Sequence, residues 1–138
     1  MDRLVFDDSL KTGIEVVDEQ HKKLIEVVNN FLDKLLNSDT KAISSEVEKL
    51  FDFMAEYSVF HFQTEEKIME ENSCPTLDLH RSQHQFFIME ANKLKFDLRT
   101  KGLTPELLSK VQYLLLDWVK DHIMDMDKKI CDKKDKVS

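Results

Sequence analysis

Glycine and proline are nearly missing, with two of each in a chain of 138 residues. Tight turns between strands draw heavily on both, so a protein of many short strands is excluded and long helices with few connections remain. Cysteine is equally sparse. Cys74 and Cys131 stand far apart and form no CxxC pair, which leaves no disulfide scaffold to expect. Free thiols in a reducing cytosol are the expected state, although an even count leaves a bridge open. No apolar run comes near the roughly 20 residues needed to cross a bilayer. The N-terminal MDRLVFDDSL has no basic segment followed by an apolar one, so no signal peptide is visible. The expectation is a soluble, cytoplasmic domain with no membrane partner. An excess of positive charge is also lacking. A net charge of −7 argues against the basic face that nucleic-acid binders present to phosphates.

What the chain does have is charge, at 34% of residues, interleaved with apolar residues at helical spacing. Its length allows one domain with a core of its own, so a metal would not be needed merely to hold it together. Residues 1–17 lack a sustained period and form an extended arm. From Asp18, a plausible N-cap, Leu24, Ile25, Val28, Phe31, Leu32 and Leu35 follow at three- and four-residue steps until Asn37-Ser38-Asp39-Thr40 ends the helix. A second helix starts near Ser44 or Ser45, where Ser45 and Glu48 fit a capping box, and runs to about Glu71 before Asn72-Ser73-Cys74-Pro75 breaks it. A third spans about Thr76–Thr100 and stops at Gly102. Thr104-Pro105-Glu106 then reads as cap, first-turn proline and first-turn carboxylate, opening a last helix that reaches about Lys129. The tail 131–138 is polar. Four long helices with short connections form an all-α, up-down-up-down antiparallel bundle, with the bundle over 18–130 as a single domain.

The chain has five histidines, and every helix carries at least one. His21 is early in the first, His61 late in the second, His80 and His84 early in the third, and His122 late in the fourth. With alternating helix directions and about 1.5 Å of rise per residue, all five fall towards one end of the bundle. Facing agrees with depth. Residues four apart share a helix face, so His61 with Glu65, and His80 with His84, can point at one interior site. His21 is followed at core spacing by Leu24, Ile25 and Val28. One histidine in a helix is usually a surface or satisfied core residue, but five gathered at one level need partners for ten ring nitrogens. A metal supplies them. Five imidazoles exceed what one ion can use, so two ions bridged by carboxylates are indicated. No Glu-x-x-His motif of the oxygen-activating di-iron bundles is present, and a nitrogen-rich, carboxylate-poor set suits iron or another borderline ion.

These residues resemble the hemerythrin family, and specifically its single-domain bacterial members. The resemblance rests on Gly13-Ile14 through Asp18-Glu19-Gln20-His21-Lys22, on HFQTEEKIM from His61, on His80-Arg81-Ser82-Gln83-His84, and on Trp118-Val119-Lys120-Asp121-His122-Ile123 with Asp127. The resemblance implies an O2-binding centre of two iron ions. His80, His84 and His122 would hold one iron, and His21 and His61 the other, which keeps an open position. Glu65, Asp127 and an oxo or hydroxo group would bridge them. Asp127 lies five residues after His122, about 140° round an ideal helix, so spacing alone prefers Asp125; the family pattern selects Asp127, with a local widening of the helix as one way to bring it in. Phe6 and Cys74 depart from residues usual in bacterial members.

The function expected from the resemblance is reversible O2 binding for transport or storage, with O2 as the partner and no catalytic residue. The alternative is an O2- or redox-sensing domain that signals to a partner. Peroxide or nitric oxide reduction is disfavoured because no general acid or base other than the ligands lies nearby. A reductase or signalling partner is left open. Leu24, Trp118 and Ile123 are candidate linings of the O2 pocket. Glu66, beside Glu65 but facing less well, is expected to be an outer residue that the paired centre can spare, and Phe62 and Glu66 are both read as support.

Overall fold

The computed structural model describes residues 4–37 and 45–125. Every long element among them is a helix: α1 (Glu15–Leu36), α2 (Ser45–Glu71), α3 (Leu77–Lys101), and a fourth helix in three parts. Those parts are α4 (Pro105–Gln112), a π-helical segment (Tyr113–Trp118) and α5 (Val119–Asp125). Packing of α1 on α2, α2 on α3 and α3 on α4 gives the four-helix bundle. None of the helices among the described residues is long and apolar enough to cross a membrane.

The first helix begins at Glu15, before the expected Asp18. Asp18 nevertheless secures its start from inside the first turns. One of its carboxylate oxygens accepts from the Thr12 amide and hydroxyl, each at 2.8 Å, and the other from the Gly13 amide at 3.2 Å. The arm before it is less extended than expected, because Asp8–Leu10 makes a 3-10 turn. Leu4 and Leu10 are buried, and Asn29 of α1 ties Leu4 down through both its amide N–H and its carbonyl.

Between α2 and α3 the backbone forms a Schellman motif. The Cys74 N–H reaches the Met69 carbonyl at 2.9 Å, and the Ser73 N–H reaches that of Glu70 at 3.1 Å, with Ser73 in the left-handed region at φ 53°. Cys74 packs with Met69, Ile14 and Val17 in a small apolar cluster. It is disulfide-bonded, which corrects the expectation of free thiols; the other cysteine in the sequence, Cys131, lies outside the described residues. At the opposite end the expected signals hold. Gly102 closes α3 at φ 72°, and the Thr104 hydroxyl caps α4 by accepting from the Leu107 amide at 3.1 Å.

The π-helical segment has a cause in the sequence. Leu107, Val111, Leu115, Val119 and Ile123 are all buried and recur every four residues. Over those four steps an ideal α-helix would carry the row about 160° away from the core. A wider turn absorbs the drift and keeps His122 and Ile123 facing inward. The main apolar cluster, centred on Phe31, Leu35, Phe51, Met54, Phe87, Leu98 and Val111, fills the bundle on one side of the histidine layer. The small cluster around Met69 and Cys74 closes the other.

Candidate metal centre

Four helices deliver six buried polar side chains to one level: His21 from α1, His61 and Glu65 from α2, His80 and His84 from α3, and His122 from α5. Glu65, His21 and His80 have no solvent exposure, and even His122 is only 5% exposed. They divide into two groups that share one member. His21 and His61 stand with Glu65 in the first, and His80, His84 and His122 with Glu65 in the second; within each, the candidate ligand atoms lie within 4.8 Å of one another. Glu65 faces both. Its Oε2 is 3.2 Å from the Nε2 atoms of His21 and of His61, and its Oε1 is 3.2 Å from Nε2 of His84.

The outer nitrogens face acceptors, which assigns the ring protons to them. The Nδ1–H of His61 donates to Gln20 Oε1 at 2.8 Å, that of His84 to Glu66 Oε2 at 2.8 Å, and that of His122 to Gln83 Oε1 at 2.8 Å. Glu66 accepts as a carboxylate. Gln20 is fixed as an acceptor because its own amide nitrogen donates to Thr64 Oγ1, whose hydroxyl donates in turn to the Phe60 carbonyl. With the proton on Nδ1, each neutral ring turns an Nε2 lone pair inward. Lone pairs therefore converge: His84 Nε2 lies 3.1 Å from His122 Nε2 and 3.2 Å from a carboxylate oxygen. Acceptors facing acceptors in a dry interior are costly, and a cation at that point turns the cost into ligation. The donor set fits a metal.

Aromatic rings hold the imidazoles from the sides. Phe62 stacks on His84 with centroids 4.0 Å apart and planes 8° apart, and Trp118 stacks on His122 at 4.7 Å and 7°. Trp118 is half-buried, and its edge lines an open cleft of about 470 Å³ with Phe86, Tyr113 and Gln83. Leu24 and Ile123 are buried in the main cluster. The π-helical turn at Tyr113–Trp118 precedes His122 and does not alter the His122–Asp127 spacing. Asp127 itself lies outside the described residues.

Glu66 lies outside the layer as expected, a quarter exposed, and supports it by accepting from the ring of His84. Facing angles place the α-carbon, and the longer reach of a glutamate from the flank of α2 brings its carboxylate to Nδ1. Gln20 and Gln83 were overlooked. A signal was there: each is the residue immediately before a histidine, and each serves the histidine of the next helix along the chain. Glu66, immediately after Glu65, does the same for α3.

Compared with known families, residues 12–133 match the hemerythrin HHE cation binding domain. A bacteriohemerythrin of Pseudomonas aeruginosa PAO1 is 30% identical over 127 residues, covering 92% of this chain and 78% of that protein. A bacteriohemerythrin of Clostridium acetobutylicum is 28% identical over 134 residues, covering 93% and 98%. The myohemerythrin of Sipunculus nudus is 24% identical over 126 residues, covering 91% and 89%.

Proposed function

The chain belongs to the hemerythrin family, and from that membership and the geometry of the histidine layer we propose reversible O2 binding at a non-haem di-iron centre, for oxygen transport or storage. The observation that carries the proposal is the position of Glu65, with one oxygen on each histidine group. A carboxylate so placed is built to bridge two ions. His80, His84 and His122 would hold one iron and His21 and His61 the other, with Asp127 as the second bridge. The iron pair, when bound, supplies two electrons and a vacant position for O2 on the side with fewer histidines.

The chain's own contribution is to hold that chemistry in place and keep it dry. Gln20, Glu66 and Gln83 fix the ring protons outward so that the Nε2 lone pairs stay aimed at the centre. Phe62 and Trp118 fix ring orientation by stacking. Leu24 and Ile123, buried in the main cluster, are proposed as an apolar wall that excludes water, which would favour loss of the bound gas and oxidation of the metal. Trp118, read from the sequence as a third lining residue, instead covers His122 beside the open cleft. Among the described residues, the titratable groups seen at the layer serve as ligands or as ligands' partners, an arrangement suited to binding and release.

The test is iron per chain, followed by visible spectra recorded with and without O2. Two irons and an absorption change that reverses when O2 is removed are expected. One zinc per chain, or an irreversible change, would overturn the proposal. Glu65→Ala should abolish the paired centre, leaving at most one iron per chain.

A further inference from the structure

Glu66 does more than complete a hydrogen-bond inventory. Its two oxygens point in different directions, Oε2 to His84 Nδ1 at 2.8 Å and Oε1 to Arg81 Nε at 3.4 Å. Arg81 belongs to α3 and lies between His80 and His84 in sequence. The Glu66–Arg81 pair thus fastens α2 to α3 beside the three-histidine group. Arg81 is not Glu66's alone: its guanidinium also reaches Glu70 at 3.4 Å and Asp78 at 3.9 Å. The Arg81 guanidinium beside Oε1 is the counter-charge of the carboxylate that faces His84. The Nδ1 partners of His61 and His122 are neutral amides.

We propose that Glu66, steadied by Arg81, is a positioning residue that aims His84 Nε2 at the centre and, by its negative charge, makes His84 a stronger donor, favouring the oxidised state of the metal it holds. The proposal rests on the di-iron reading above. A carboxylate on the far nitrogen of an imidazole pulls its proton outward and pushes electron density towards the ligating nitrogen. Stronger donation stabilises the higher charge on the metal. The chain would therefore tune the two halves of its centre differently, using a charge at His84 and an amide at His61.

The test compares the wild-type chain with Glu66→Gln and Glu66→Ala, using anaerobic titration with ferrous iron and a midpoint potential from spectroelectrochemistry. The glutamine keeps an acceptor oxygen and removes the charge, and the alanine removes both. Glu66→Ala should lose about ten- to a hundredfold in affinity at one of the two sites, with the other site unchanged. Glu66→Gln should recover affinity to within a few-fold of wild type while its midpoint shifts to higher potential. Wild-type affinity in the alanine variant would overturn the positioning role, and an unshifted midpoint in the glutamine variant would overturn the charge effect. Should Glu66→Ala fail to fold by circular dichroism, the potential of Glu66→Gln decides alone. Uptake of a single ion by the wild-type chain would sink the di-iron reading, and the same three-way comparison would still judge Glu66 on that ion, because His84 belongs to the larger ligand group.

Discussion

Neighbouring residues of similar chemistry do different work in this protein, and their burial explains why. Glu65 is fully enclosed and Glu66 a quarter exposed, so one meets histidine nitrogens from inside the layer and the other from outside it. The ligand candidates were legible in the sequence because depth and facing are both fixed by helix geometry. Phe62 and Glu66 were legible as support, but Gln20 and Gln83 were not, because a side chain of three rotatable bonds reaches across the gap between helices in ways spacing does not encode. The distinction between support and core yields a paired prediction. Gln20→Leu removes the acceptor for the His61 ring proton and should weaken iron uptake about ten- to a hundredfold, with little loss of fold. Phe31→Ala should do the opposite. Phe31 is fully buried and packs edge-to-face on Phe51 with centroids 5.4 Å apart, so its loss should cost about 3–5 kcal/mol. Iron per folded chain should stay at the wild-type value. Urea unfolding beside iron assay checks both, and a Gln20→Leu variant with full iron affinity would refute the supporting role.

At the scale of elements, the sequence was legible where stop signals have one meaning and less so where context decides. Gly102 and Thr104-Pro105 marked their boundaries correctly, since positive φ and a proline at the first helical position leave few alternatives. Asp18 misled because a carboxylate near a helix start can cap from within as well as from in front. Ser73 was read only as part of a break, yet it adopts the left-handed conformation that closes α2. For a residue with a β-carbon that conformation costs on the order of 1 kcal/mol, and a branched one suffers more. Ser73→Val should lower stability by about 1–2 kcal/mol, while Ser73→Gly should hold it within about 0.5 kcal/mol or raise it. Thermal melts of both variants give the signs, and equal destabilisation by the two would show that the serine side chain, not the backbone angle, matters. The π-helical segment was legible in retrospect, through the buried row that recurs every four residues from Leu107 to Ile123.

For the molecule as a whole, the disposition of the two apolar clusters determines what metal removal should do. The histidine layer separates a large core from a small one made of Ile14, Val17, Met69 and Cys74. The large core has enough buried surface to hold four helices without help, consistent with a chain long enough to fold unaided. The small cluster depends on the layer beneath it, whose inward lone pairs repel one another when no cation sits among them. The disulfide at Cys74 adds a tie at that end, and it removes the thiols as support for the expected reducing compartment. Chelation should therefore lower the melting temperature, because ligand binding to the native state alone stabilises it by mass action, without unfolding the bundle at 25 °C. Loosening should be local. Hydrogen exchange should accelerate at the first turn of α1 and across the α2–α3 turn, around residues 69–77, and stay slow where Phe31, Leu35, Met54 and Leu98 pack. Exchange that rises uniformly along the chain after chelation would mean that the metal holds the entire fold, and that the large core is not the independent unit its burial indicates.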